Sequence, residues 1–600
     1  MLGWRPLALG VAASLLLMSA ADAQQAARKR IAAAEPPEAA PAPAIAPPQA
    51  PQDPIGAALQ QKLAAKVRVE EGEAQDRAAL ASYYASQAYV PLWVSKSGFN
   101  DKANALIAEF GKANDWGLEA ADFAVPKLAL ENELAAATLA DAELMLSLSA
   151  MKYARYARGG RITDPATQLS SYLDRKPQLV EPKTVIEKLA GATEPDAYLR
   201  GLNPQHPQFE KLRQKYLELR QAKATQEIVR LPSGGALVPG KSDPQVALLR
   251  KRLKVELPAA SGDKPVDENV YDDQLKAAVI AFQTERGTRP DGIVGNATRA
   301  LLNDVEVLGP EKLLANMEEW RWMPEDLGDF YVTVNIPEFT LRIVKGGAVI
   351  HTERVITGLP DKQTPVFSET MKSIAFQPRW NVPNSIKVNE LWPSLARGGT
   401  YFRRQGLRVS QNGRDIDPDS IDWSYTDIRN YDVYQPPGAS NVLGELKFNF
   451  PNKHTVYMHD TNARGLFEEP VRAFSHGCMR VRNPRRMAEI VLGEDKGWDA
   501  AKIADLIANG PPANEVPIEH KVGVHVTYFT AWVDEAGELQ TARDIYGHEQ
   551  RLKLALAGRW AQIVKGPNHL APVKAPEALA DGGNPFKSVG DFISSALGGF

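Results

Sequence analysis

From Asp329 to Ile356 the chain reads DFYVTVNIPEFTLRIVKGGAVIHTERVI, and here the period of the apolar residues changes. Tyr331, Val332, Thr333 and Val334, then Leu341 to Val344, then Val349 to Ile356 are runs rich in β-branched residues. Gly346-Gly347 between the last two is a two-residue hairpin signal. A β-rich domain therefore starts near residue 327. Further strands are predicted over Lys447 to Phe450, Thr455 to Met458 and Val524 to Phe529, the last leading through Trp532 to a turn at Asp534-Glu535-Ala536-Gly537. Between the early and late strands, residues 379–434 are polar, aromatic and irregular, with Gly398-Gly399, Asn412-Gly413 and Asp417-Pro418. So long a segment inside a β-domain is usually functional, and it reads as a cap over a site.

Upstream the pattern is helical. From Gly56 to Glu227, runs such as Leu144 to Ala154 lack strand alternation and are rich in helix formers. Tyr83, Tyr84, Tyr89 and Trp93 read there as core packing rather than a binding platform. The chain then turns to Pro, Gly and Ser around Leu231 to Ser242. A compact unit of three short helices follows: Val246, Leu249 and Leu253 make one apolar face, Leu275, Ala278, Val279 and Phe282 a second, and a third helix starts at Asn296 after the turn Asp291 to Gly295. Glu311 to Trp322 is a further helix, expected to pack back on the first helical domain.

The chain has 600 residues, 44% hydrophobic and 24% charged, with a net charge of −3. That is material for about three or four domains, without the global basic field that draws proteins onto nucleic acid. At the start, Arg5, the apolar run Leu7 to Ala20 and the small residues Ala21-Asp22-Ala23 read as a signal peptide over residues 1–23. The apolar run is shorter than the roughly 20 residues a bilayer span needs, so the mature protein is expected to have no membrane span. An uncleaved inner-membrane anchor is the alternative. Residues 24–55 are an Ala/Pro-rich linker, and residues 570–600 read as a loose tail.

Cys478 is the sole cysteine. It cannot form an intramolecular disulfide, and three histidines fall within 25 residues of sequence around it: His454-Thr455-Val456-Tyr457-Met458-His459-Asp460-Thr461, then Ser475-His476-Gly477-Cys478-Met479-Arg480-Val481. Two chemistries compete. In the first, Cys478 is a nucleophile that needs a nearby base or positive charge to yield a thiolate. His459, following the strand Thr455 to Met458, is the candidate base, with the Asp460 carbonyl holding its other ring nitrogen. Gly477 permits a tight turn that lets the N–H groups of Gly477 and Cys478 converge on an oxyanion. Arg480 could bind a substrate carboxylate or form a structural ion pair. In the second, His454, His459, His476 and Cys478 bind zinc, but their spacing matches no familiar metal motif. No metal or other cofactor is therefore expected.

The runs Tyr-Met-His-Asp-Thr at 457–461 and Ser-His-Gly-Cys-Met-Arg-Val at 475–481 resemble the active-site signature of the L,D-transpeptidases. Asn335-Ile336-Pro337, Val355 to Gly358, Thr364-Pro365, Asn381-Val382-Pro383, Gln435 to Gly438 and Phe450-Pro451-Asn452 resemble the large, YcbB-like branch of that family. Tyr271 to Leu275, Ala278 to Gln283, Asp291 to Gly295 and Thr298 are similar to a peptidoglycan-binding three-helix domain.

The resemblance implies a multidomain α+β protein. Its parts would be a helical scaffold domain over 56–235 continuing at 304–326, an inserted peptidoglycan-binding domain over 240–303, and a mainly-β catalytic domain over 327–548 with its cap at about 379–434. It implies Cys478 as nucleophile, His459 as general base, Ser475, His476, Gly477 and Arg480 as the signature turn, and Tyr457 beside the oxyanion. The implied reaction is 3→3 cross-linking of diaminopimelate residues in peptidoglycan stem peptides, in the periplasm. Its partners would be those stems and the glycan. The same residues leave open an L,D-carboxypeptidase, an enzyme attaching a protein to peptidoglycan, or a non-catalytic wall-binding scaffold.

Overall fold

Gly346 and Gly347 both take positive φ, 57° and 77°, and the hairpin they form joins two of nine strands in one sheet. We number these strands β1 (Phe330–Asn335), β2 (Thr340–Lys345), β3 (Ala348–Gly358), β4 (Phe367–Phe376), β5 (Leu446–Asn449), β6 (Met458–His459), β7 (Ala473–Ser475), β8 (Met479–Val481) and β9 (Asn514–Thr527). Their order is β7-β3-β8-β6-β5-β4-β9-β1-β2, and β2 pairs again with β3. Eight strands therefore close into a ring, with β7 added alongside β3. The computed structural model describes residues 50–128, 134–221, 229–258, 267–285, 288–303, 309–397 and 401–574. The expected signal peptide, the linker up to residue 49, Gly398-Gly399 and residues 575–600 lie outside the described residues.

Alternation along the strands fills the interior. Val332, Val334, Leu341, Ile343, Ile374, Phe376, Phe448, Met458, Met479, Val481, Val524 and Val526 are buried in one core. Each such side chain contributes roughly 1.5–3 kcal/mol on full burial. Two helices after the catalytic turn, Pro484–Lys496 and Ala500–Asn509, add Met487, Val491, Leu492 and Ile503 to this core. The core continues past the expected domain end at 548, because the helix His548–Leu556 supplies Leu552 and Ala555.

The N-terminal helices Pro54–Ala64, Glu71–Ser86, Asp101–Gly111, Ala136–Gly159 and Pro182–Gly191 enclose a separate core. Tyr84 and Trp93 are fully buried in it. The buried Glu143 carboxylate accepts from the Tyr84 hydroxyl and from the backbone N–H of Leu92, Trp93 and Val94, which fixes a chain reversal that has no helix of its own. The helix Pro310–Arg321 joins scaffold to barrel. Its Leu313, Met317 and Trp320 pack against Phe209, Leu212 and Tyr216 on one side and Phe529, Ala531 and Val533 on the other. The buried Lys312 ammonium lies 2.7 Å from Glu549, and Glu318 accepts from the N–H groups of Arg161 and Ile162. Among the described residues no helix is long and apolar enough to cross a membrane.

Three features differ from the sequence reading. The inserted module has the three expected helices, Gln245–Leu253, Asp273–Glu285 and Asn296–Asn303, but its core also takes Leu231 and Leu237 from the Pro/Gly/Ser stretch ahead of the expected module start at 240. The Asn303 carboxamide bonds both N–H and C=O of Leu231, so entry and exit of the module are tied together. The segment read as irregular is a small α+β layer. Trp380–Asn381, Asp432–Gln435, Arg408–Gln411 and Arg414–Ile416 form a four-stranded sheet over a core that includes Leu391, Trp392, Phe402, Trp423 and Val433. Its strands are too short for their period to stand out in the sequence. The third difference is at the C-terminal end, where the chain stays docked through His569 and into the first residues of the stretch read as a tail. His569 stacks on Tyr172 and His454, and the Val573 carbonyl accepts from Arg429 of the cap.

Candidate active site

The regular strand before Asp460 is shorter than expected. Asn452 Oδ1 accepts from the N–H groups of His454 and Val456, Thr455 takes φ +56°, and β6 contains only Met458 and His459. His459 thus sits within the strand rather than after it. Its register places it opposite Lys447 of β5 and Arg480 of β8, while Met458 faces Phe448 and Met479. Side chains alternate between faces, so Phe448, Met458 and Met479 point into the core and Lys447, His459 and Arg480 point out. Tyr457 and Cys478, each one residue earlier in parallel strands, share that outer face. Tyr457 O accepts from Met479 N at 3.0 Å, which locks the two chain segments side by side next to Cys478.

The turn before Cys478 is held by hydroxyls. Ser475 Oγ donates to the Cys478 carbonyl at 2.5 Å and accepts from Gly477 N at 3.2 Å. Thr364 Oγ1 donates to the Gly477 carbonyl and accepts from Gly358 N. Tyr546 OH donates to the Gly358 carbonyl. Gly477 has φ +109°, a conformation that side-chain-bearing residues rarely adopt. Of the two N–H groups expected to converge on an oxyanion, that of Gly477 is engaged by Ser475 Oγ.

His459 Nδ1 donates to the Asp460 carbonyl at 2.5 Å, so Nε2 carries the lone pair. The Asp460 carboxylate does not touch the ring. It accepts from Glu445 N and pairs with Arg464, and so anchors the strand end. Burial, aided by the charges of Arg480 and Lys447, pushes His459 down to about 3. Burial pushes the Cys478 thiol up to about 11, against the pull of Tyr457, Lys447 and Arg480. Burial thus acts against charge on both groups and favours a neutral imidazole and a neutral thiol over the thiolate of the sequence reading, with the Cys478 side chain itself partly exposed. The Tyr457 ring lies edge-on to His459, and its hydroxyl engages the Cys478 sulfur and the Trp380 side chain at the start of the cap.

The other histidines turn elsewhere. His454 bonds Asp174 of the scaffold at 2.9 Å and His569 at 2.8 Å. His476 faces the cap, with Nε2 2.5 Å from Glu390 Oε1 and 2.8 Å from Lys362 Nζ. The four residues weighed as zinc ligands are therefore not brought together. Arg480 has no carboxylate partner among the described residues, which removes the structural ion pair considered for it.

Sequence reasoning missed Lys447, Thr364, Tyr546, Trp380 and Glu390. Lys447 had a signal: in Lys447-Phe448-Asn449-Phe450 the polar residues alternate with Phe and so share the outer face. Thr364 had one in the Thr364-Pro365 pair of the family resemblance, though no role was given to it; Tyr546, Trp380 and Glu390 come from distant segments and carry none.

Residues 78–215 match a family described as a scaffold domain, residues 242–302 one described as "Putative peptidoglycan binding domain", and residues 329–518 one described as an L,D-transpeptidase catalytic domain. A "Putative L,D-transpeptidase" from Haemophilus influenzae is 34% identical over 249 residues, 41% of this chain and 49% of that protein. The chain thus spans about half the length of this curated relative. Among solved structures, an L,D-transpeptidase from Xylanimonas cellulosilytica is 15% identical, covering 49% of this chain and 98% of that one, with a TM-score of 0.13. An L,D-transpeptidase from Mycobacterium smegmatis is 11% identical, covering 33% and 58%, with a TM-score of 0.15. Residues 329–518 therefore form a catalytic domain of the L,D-transpeptidase family, in a chain that also carries a scaffold domain and a peptidoglycan-binding domain.

Proposed function

We propose that the protein is a peptidoglycan L,D-transpeptidase that forms 3→3 cross-links between diaminopimelate residues through a Cys478 thioester. The observation that carries this reading is the shared outer face of Tyr457, His459 and Cys478, with the His459 lone pair on Nε2. Because the thiol rests protonated, attack and deprotonation are concerted. As sulfur bonds to the carbonyl carbon of diaminopimelate in a tetrapeptide stem, its proton passes to His459 Nε2 and the carbonyl electron pair moves onto oxygen. The oxyanion is met by the Cys478 N–H and the Tyr457 hydroxyl; one such donor is worth about 3–4 kcal/mol in other acyl-transfer enzymes. Collapse breaks the bond to the terminal D-alanine, whose amine takes the proton from His459. The side-chain amine of a second stem then attacks the thioester and gives a proton to His459, which passes it to the departing Cys478 sulfur, so that the amide forms as the thiol and the neutral imidazole are restored.

The proposal includes export through residues 1–23 to the periplasm, a tether over 24–55, and retention on the polymer by the module at 240–303 through effective concentration. Removing that module lowers activity on sacculi more than on small muropeptides.

The test is mass analysis of products from disaccharide-tetrapeptides incubated with the wild type and with Cys478→Ala. Cross-linked dimers from the wild type only are expected. Tripeptide monomers alone would mean that water is the acceptor. No product from either protein would overturn transfer between stems and leave attachment of a protein lysine or a non-catalytic scaffold.

A further inference from the structure

Residues 565–574 form no helix or strand, yet they touch scaffold, barrel and cap in turn. At the scaffold, Lys565 Nζ donates to the Thr167 carbonyl at 2.8 Å, and Ser171 Oγ lies 2.8 Å from His569 Nδ1 and accepts from His569 N at 3.3 Å. The His569 ring stacks on Tyr172, 3.8 Å between centroids and 10° between planes, and its Nε2 meets His454 Nδ1 of the barrel at 2.8 Å. Asp174 holds the other nitrogen of His454 at 2.9 Å. Four residues on, Val573 packs against the apolar core of the cap, and its carbonyl accepts at 3.0 Å from Arg429, whose guanidinium Asp427 fixes.

The scaffold residues that hold His569 also hold the barrel wall. Tyr172 O accepts from Val366 N at 2.7 Å, two residues after Thr364, Leu173 pairs with Val366, and Arg175 bonds Ser368 and the carbonyls of Phe367 and Val526. The segment 565–574 is thus anchored to a firm base at one end and to the cap at the other. Ala571-Pro572 between the anchors favours extended backbone, which suits a short, taut link. Ordering such a stretch costs backbone entropy that its end contacts must offset.

We propose that residues 565–574 are a strap that ties the cap to the scaffold and limits how far the cap opens. It acts beside the Glu390 contact with His476 and from a different segment of the chain. Its two ends work in series, so the strap holds only while both hold. The consequence for chemistry rests on the thioester reading: a cap freed from its strap admits water to the acyl-enzyme.

Hydrogen exchange on the full chain tests the strap without any reaction. His569→Ala loosens the scaffold end and Val573→Glu the cap end. Each is expected to speed exchange over residues 401–434 by about tenfold or more, and the two together no further than either alone. Faster exchange confined to residues 167–175 and 452–456 in His569→Ala would show a local role and overturn the strap, as would additive effects of the two variants on the cap. Ser171→Ala, which removes the partner of His569 Nδ1, serves if His569→Ala does not fold. The same variants should release more tripeptide per cross-linked dimer. Faster cap exchange with no product from the wild type would overturn the proposed reaction and leave the strap standing; unchanged cap exchange with normal cross-linking would do the reverse.

Discussion

His476 in the turn before Cys478 and Glu390 in the cap are 2.5 Å apart, and Lys362 from the loop between β3 and β4 lies 2.9 Å from the same Glu390 oxygen. Three segments distant in sequence meet there, and the cap is tied to the catalytic turn by this contact. Burial acts to raise Glu390, but the hydrogen bonds from His476 and Lys362 outweigh it and hold the carboxyl down to about 2. A depressed carboxyl contributes fully above its ordinary value of 4.5 and loses its contribution as pH falls toward about 2.

Glu390→Gln should therefore loosen the cap at neutral pH, and acidification from about 4.5 toward about 2 should do the same in the wild type. Hydrogen exchange over residues 380–397 reads it directly: faster exchange in the variant is expected, with the barrel strands unchanged. A cap that excludes water also predicts more hydrolysis per cross-link in the variant.

The neutral Cys478–His459 pair gives a distinctive pH dependence. With His459 near 3 and the thiol near 11, the form that reacts by concerted proton transfer persists between those values. Alkylation of Cys478 by iodoacetamide should climb with pH toward about 11 instead of levelling off near 7, whereas acyl transfer should stay flat from about pH 5 to 9. An alkylation inflection below 7 would show a preformed ion pair.

Thr364→Val removes one hydroxyl that serves two buried backbone groups, Gly358 N–H and Gly477 C=O. Stranding such groups costs about 1–3 kcal/mol each. A lower Tm and a loss of acyl transfer of about tenfold or more are expected, with Thr364→Ser restoring most of both. Equal losses in the serine variant would argue against the hydroxyl.

Lys312→Met should weaken the joint between scaffold and barrel. It takes one partner from a buried pair with Glu549, a change that typically costs about 3–5 kcal/mol, softened here because Lys553 also contacts Glu549. Pairing it with Glu549→Leu should recover much of the loss in a thermal melt.

Much of this could be read from the residues, because the barrel and the inserted module announce themselves by period and by turn chemistry. Val332, Ile343 and Val355 alternate, Gly346-Gly347 can hardly do other than turn, and the spacing of Val246, Leu249 and Phe282 gives helices. Cys478 and His459 stood out by scarcity and clustering. What the sequence hid depends on contacts between remote segments. Thr455 looks like a strand residue until Asn452 bends the chain there. Glu390 is one of many surface carboxylates until the cap lands on His476. The neutral state of the thiol follows from burial, which no local string encodes.

The ring of strands closes through parallel pairing of Tyr331 with Gly523 and Val332 with Val524. The turn at Thr364, the cap, His459 and Cys478 all lie in the chain between those two partners, and Tyr546 alone of the residues that hold the site comes after them. A chain made from its N-terminus has Tyr457, His459 and Cys478 before it has the strand that seals their wall. Contacts so remote in sequence make for slow assembly, since a long loop must be ordered before they form. During that interval the lone thiol is neither buried nor covered, so its exposure to oxidants is a matter of folding time as much as of the finished fold.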